Sequence, residues 1–177
     1  DARWVYRAIR VAAPGGLGKS DRYDVAEEPE WTLLEAMRYA RARDRIAGEY
    51  ASGYAEVFEY AVPRWRRFHA QWGDEAWATT AVYLGLLARD SDSHVARKWG
   101  QAVAREVSAV AARLEQELSR LSHPERMAAE LRDQDAAFKR AGINPGTTAD
   151  LVVAALLAVG LEDLLDPVPR RVLCSES

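Results

Sequence analysis

Apolar residues recur along this chain at spacings of three and four, and no alternating β-branched run bounded by turn residues interrupts them. That period matches the helix and not the strand, so the pattern predicts an all-α protein, a multi-helix, bundle-like single domain over residues 1–177. A first helix is expected from about Ala2 to Ala12, with Trp4, Val5, Ala8, Ile9 and Ala12 on one stripe and Pro14-Gly15-Gly16 ending it. A second starts near Glu30 and carries Trp31, Leu34, Met37, Ala40, Ile46 and Tyr50. Gly53 breaks it before Tyr54 to Tyr60 resumes, and Pro63 opens Arg64 to Trp72. Glu75 to Ala88 follows. Val95, Trp99, Val103, Val107, Val110, Leu114, Leu118 and Leu121 then form the seam of the longest helix. Glu125 to Arg140 makes a more polar helix, and Leu151 to Leu161 reads as a buried one. The chain from Pro167 onward reads as a loose tail.

Composition narrows the classes. With 177 residues, 49% of them hydrophobic and 29% charged, the chain is long enough for one sizeable core and unlike a disordered or low-complexity sequence. Its 24 Lys and Arg against 27 Asp and Glu give a net charge of −3, so neither nucleic acid nor an anionic membrane is an expected partner. The run Leu151 to Leu161 is too short to span a bilayer. The single cysteine, Cys174, excludes a disulfide framework and a Cys-based zinc site, which fits a reducing cytoplasm. No leader precedes Asp1, so no secretory signal is expected.

Three polar segments carry candidate chemistry. Ala13-Pro14-Gly15-Gly16-Leu17-Gly18-Lys19-Ser20 fits a loose phosphate loop, whose N–H groups, Lys and hydroxyl cradle phosphates. A helical stripe precedes it and Asp21 to Pro29 follows, whereas a nucleotide hydrolase would have a strand before and a helix after. A glycine-rich helix stop with a solvated Lys19 explains the segment as well. Asp90-Ser91-Asp92-Ser93-His94 offers paired carboxylates suited to Mg²⁺, or polar loop chemistry with Ser93 as N-cap. Arg97 and Lys98 would then lie in the first turn, where cations oppose the helix dipole unless an anion sits there. In Asn144-Pro145-Gly146-Thr147-Thr148-Ala149-Asp150, Thr147 and Asp150 make a capping-box-like pair, or the same geometry points N–H groups and hydroxyls at a phosphate. The histidines His69, His94 and His123 show no metal spacing, and no Gly-x-Ser-x-Gly elbow occurs.

Taken together, these segments resemble the triphosphoribosyl-dephospho-CoA synthase family, in particular its archaeal and methylotroph-type relatives. Ala8-Ile9-Arg10 through Pro14-Gly15-Gly16-Leu17-Gly18 and Asp24-Val25 is similar to the relatives' glycine-rich segment. Arg43-Asp44-Arg45-Ile46-Ala47, Glu49-Tyr50 and Ser52-Gly53-Tyr54 are similar to the central motif. Asp92-Ser93-His94 with Arg97-Lys98 and Gly100 resembles the Asp-Thr-Asn segment and its following glycine. Asn144 to Leu151 resembles the Ser-Pro-Gly-Gly-Ser-Ala-Asp-Leu signature. Thr147 replaces the second glycine of that signature and His94 the asparagine, the marks of a divergent member. The family's N-terminal Lys-Pro-Gly and Asn-Thr-His segments have no counterpart, so the resemblance implies the C-terminal portion of a longer protein.

The resemblance implies transfer of the 5-triphosphoribosyl group of ATP to the 2′-hydroxyl of 3′-dephospho-CoA, or a related acceptor, with adenine leaving. It implies Mg²⁺ on Asp92 and Asp150, and catalytic roles for Glu49, Asp92 and Asp150, with Glu49 or Asp24 as base. Gly15, Gly16, Gly18, Lys19, Asp24, Arg45, Gly53, Ser93, His94, Arg97, Lys98, Asn144, Gly146, Thr147 and Thr148 would bind substrate and phosphates. A homodimer, or a separate N-terminal segment, is an expected partner. A non-catalytic helical nucleotide- or protein-binding module is the alternative class.

Overall fold

The computed structural model describes residues 1–13 and 19–165, and every described element is helical, as the apolar period predicts. Gly15, Gly16 and Gly18, and the tail expected from Pro167, lie outside the described residues. The backbone divides into two compact units, Asp1–Tyr54 and Ala55–Ser177. No helix among the described residues is long and apolar enough to cross a membrane.

In the first unit, α1 (Ala2–Ala12) starts under the Asp1 carboxylate and stops at Ala13, which takes the left-handed conformation at φ 43°. The buried stripe is not the expected one. Ala2 and Tyr6 are buried and Trp4 is 72% exposed, because the Tyr6 hydroxyl is used twice. It donates to the Tyr23 carbonyl at 2.8 Å and accepts from Trp31 Nε1 at 3.0 Å, which turns that side of α1 inward. Arg10 adds a strut by donating to the carbonyls of Val25 and Glu27 and pairing with Glu28 at 3.0 Å.

The helix expected from Glu30 to Tyr50 is two helices. α2 (Leu33–Ala40) begins one turn later than expected, where Thr32 and Glu35 form a reciprocal capping box. α3 (Arg45–Ser52) begins at Asp44, whose carboxylate takes the N–H groups of Ile46 and Ala47. Those two bonds compete with helix continuation, so residues 41–43 form a turn. Gly53 ends α3 at φ 74°, a conformation that suits glycine.

The second unit opens with a π-helical turn, Val57–Ala61, that runs into α4 (Val62–Trp72). Pro63 has no N–H for the Glu59 carbonyl and its ring crowds that oxygen, which accounts for the widened turn before it. α5 (Glu75–Arg89), capped by Asp74, lies at the centre of the unit against α4, α7 and α9. Its Ala78, Val82, Leu86 and Leu87 join Phe68, Val95, Leu114 and Leu118 in the core, each large side chain contributing about 1.5–3 kcal/mol on burial.

The single long helix expected from Val95 to Leu121 is broken at Gly100, where φ is 89°, into α6 (Ser93–Trp99) and α7 (Gln101–Leu118). The break swings Trp99 off the seam and leaves it 43% exposed. A 3-10 turn (Pro124–Met127) leads to α8 (Ala128–Arg140), and α9 (Gly146–Leu165) closes the described chain. α9 is not wholly buried as expected. Leu151, Val152, Ala155 and Val159 face the core, while Val153, Leu157 and Leu161 form an exposed stripe on another side.

Candidate functional site

The Asp-Ser-His and Asn-Pro-Gly-Thr-Thr segments meet in the second unit. Asp92 caps α6, its Oδ1 accepting from the N–H groups of His94 at 2.9 Å and Val95 at 3.1 Å. The expected cap, Ser93, is instead the first helical residue, since the longer-reaching carboxylate one position earlier already fills the capping role. Asp92 Oδ2 reaches across to α9 and accepts from both the N–H and the hydroxyl of Thr148, each at 2.8 Å. Asp92 and Thr148 are both 0% exposed. One carboxylate therefore fastens the start of α6 to the start of α9 with four charge-assisted hydrogen bonds.

A second tie runs beside it. Thr147 Oγ1 lies 2.9 Å from Ser93 Oγ and accepts from the His94 N–H at 3.2 Å. The capping-box-like use of Thr147 with Asp150 is thus replaced by a bond across helices, and Asp150 is exposed just past the first turn of α9. The His94 ring packs near Gly146, where an added Cβ would lie 3.7 Å from Cγ of His94. Arg97 Nη2 donates to His94 Nδ1 at 3.3 Å, which puts the proton of a neutral His94 on Nε2. Arg97 and Lys98 lie in the last turn of α6, not the first, because the helix ends at Gly100; there they complement the dipole. Asn144 is exposed just before α9.

In the first unit, Arg45 and Glu49 are buried one turn apart on α3, and Gly53 terminates that helix. Asp24 holds its own loop, accepting from the N–H groups of Ser20 at 2.9 Å and Ala26 at 2.8 Å. Those bonds, with Lys19 nearby, keep its carboxyl below the ordinary aspartate value despite some opposing desolvation. Lys19 is exposed. The phosphate-loop alternative finds no strand among the described residues: α1 precedes the segment and irregular chain follows it.

The two carboxylates assigned to Mg²⁺ differ in what they offer. Asp92 spends both oxygens, about four lone-pair positions, on protein donors and leaves none for a metal, whereas Asp150 is free to face solvent. Among the described residues no three His, Cys, Asp or Glu side chains group as a metal cage.

Sequence reasoning missed Tyr83. Its phenol is pushed up to about 12, first by burial and then by the negative charges of Asp92 and Asp135. Tyr83 sits mid-helix in α5, with no motif around it, and only tertiary packing brings it near Asp92. Arg22 and Tyr39 were missed as well, and Arg43 was named in the central motif without a role; all three line a cavity in the first unit.

No curated protein and no solved structure matches the chain. A family model does, over residues 1–167, and its description is CitG: ATP:dephospho-CoA triphosphoribosyl transferase. With every described residue inside the match, and two of the segments that carry the resemblance joined through Asp92, this protein belongs to the ATP:dephospho-CoA triphosphoribosyl transferase family of enzymes.

Proposed function

We propose that the protein transfers the 5-triphosphoribosyl group of ATP to the 2′-hydroxyl of 3′-dephospho-CoA, releasing adenine. The reading rests on the family and on one observation, the Asp92 tie that gathers Ser93, His94, Thr147 and Thr148 at the start of α9. In the transfer the C1′–N9 bond of ATP breaks and a C1′–O2′ bond forms. The electron pair of the broken bond leaves on N9, adenine takes up a proton, and the acceptor hydroxyl gives its proton to a base. The transition state has oxocarbenium character, which a nearby carboxylate stabilises.

The residue roles are those the resemblance implies, and the hydrogen bonds of Asp92 and Asp24 bear on two of them. Asp92 acts by positioning, since its oxygens are taken. Asp24 is a poor base because its bonds favour the ionised, weakly basic form. The resemblance gives the base role to Glu49, which lies buried on α3 one turn from Arg45. Arg97, Lys98 and the positive end of α9, all in the second unit, suit the triphosphate. Asp150 would be the carboxylate that meets an Mg²⁺ carried by the triphosphate, an ion that would neutralise part of the phosphate charge when bound. Replacing Asp150 with Asn is expected to abolish turnover while leaving the helical circular-dichroism signal and urea midpoint unchanged, because the side chain is exposed. An active Asp150→Asn enzyme would contradict the role.

A further inference from the structure

The first unit holds a cavity of about 240 Å³ whose wall is apolar, formed by Val5 and Ile9 of α1 and Leu33 and Met37 of α2. Its edge is different in kind. Tyr39 stands there 36% exposed, with the Arg43 guanidinium 4.9 Å and the Arg22 guanidinium 6.0 Å from its ring centre. Arg22 also lies 5.3 Å from the Tyr23 ring, which packs on Tyr39 at 5.2 Å. Both arginines are exposed, and neither has a carboxylate partner among the described residues. Among the described residues the Arg43 guanidinium bonds only the Ser20 hydroxyl, at 3.0 Å, which uses one of its five donors. The one acidic side chain lining the cavity, Asp24, is turned to the N–H groups of its own loop.

Two cations held by stacking on one aromatic ring, beside an apolar slot, make a recognition site for a flat ring that carries phosphate. Stacking presets the guanidinium planes, so little side-chain entropy is lost when they fork onto phosphate oxygens. The slot is smaller than the roughly 300–1,000 Å³ of pockets that enclose a whole drug-sized ligand. It therefore suits one ring system, with the charged remainder outside.

We infer that this cavity binds the adenosine 5′-polyphosphate portion of a substrate, the base in the slot and the phosphates on Arg22 and Arg43. ATP and 3′-dephospho-CoA both carry that portion, so the inference rests on the proposed function for its choice of ligand. The slot offers the base apolar contact and few polar partners, and recognition of the base is by shape and stacking. Affinity comes mainly from the two arginines and falls as salt rises.

Isothermal titration of the full chain with ATP and, separately, with 3′-dephospho-CoA tests this. Arg22→Ala and Arg43→Ala are each expected to weaken one of the two ligands by about tenfold or more, the loss of a charge-assisted contact, with helical signal and urea midpoint unchanged. Tyr39→Leu is expected to weaken the same ligand by freeing both guanidinium groups. The ligand that loses affinity is the occupant. Unaltered binding of both ligands by both arginine variants overturns the inference, as does failure of the parent chain to bind either. Product analysis on the same samples separates the two claims: variants that bind and turn over like the parent sink the cavity assignment and leave the transferase standing. Arginine-dependent binding without any triphosphoribosyl product in the parent does the reverse.

Discussion

Asp92 is the residue whose environment says most about this protein. Its buried carboxylate accepts from four donors, and each donor left unpaired costs about 1–3 kcal/mol. Asp92→Asn keeps the size but offers one oxygen where two stood, and turns an amide NH₂ toward existing donors. It is expected to lower stability by about 1–3 kcal/mol in urea unfolding, and Thr148→Val, which removes only the hydroxyl partner, by about 1 kcal/mol. An unchanged midpoint for Asp92→Asn would contradict the clamp. Tyr83 makes a second prediction at this scale. Its folded pKa is raised to about 12 from 10.0, so the folded state holds the proton more tightly than the unfolded chain. Its contribution to stability is complete below about pH 10 and is lost as pH rises toward about 12. Tyr83→Phe should flatten that alkaline fall, read as the urea midpoint against pH; the same slope in both proteins would refute the assignment.

Among the elements, the joints carry the information. α5 passes so close to the π-helical turn and α4 that a Cβ on Gly85 would lie 2.5 Å from the Tyr60 hydroxyl and 2.6 Å from Arg64 Nε. Arg64 cannot yield freely, because Nε donates to the Ala81 carbonyl at 2.9 Å and Nη2 bonds Glu115 and Ser119 of the α7 end. Gly85→Ala should therefore cost about 1–3 kcal/mol by overpacking, despite alanine's better helix propensity, with thermal unfolding as the check. A stabilised Gly85→Ala would show that the neighbours move aside cheaply. The helices themselves were legible from period, Gly and Pro. The joints were less so: Gly100 lies inside an unbroken apolar seam, and only its φ of 89° shows that the seam bends there. Asp44 was likewise hidden, since a mid-pattern aspartate reads as a solvated helix face until its two backbone bonds are seen.

For the whole molecule, the family was legible in four short segments, and the structure explains why two of them had to co-occur. Asp92 needs the Thr148 N–H and hydroxyl, and Thr147 needs Ser93, across more than fifty residues of chain. Long-range polar bonds of this kind leave no periodic trace, so their partners surface only as motifs. The roles of Glu49 and the cavity arginines depend instead on substrate chemistry, which side-chain packing constrains only through what each group has left to donate or accept. The measurement that tests the account most directly is mass spectrometry of every nucleobase-containing product after incubation of the chain with ATP, Mg²⁺ and 3′-dephospho-CoA. The account predicts free adenine in equal amount with a triphosphoribosyl adduct of dephospho-CoA; ADP as the product, or ATP and dephospho-CoA recovered intact, would contradict it.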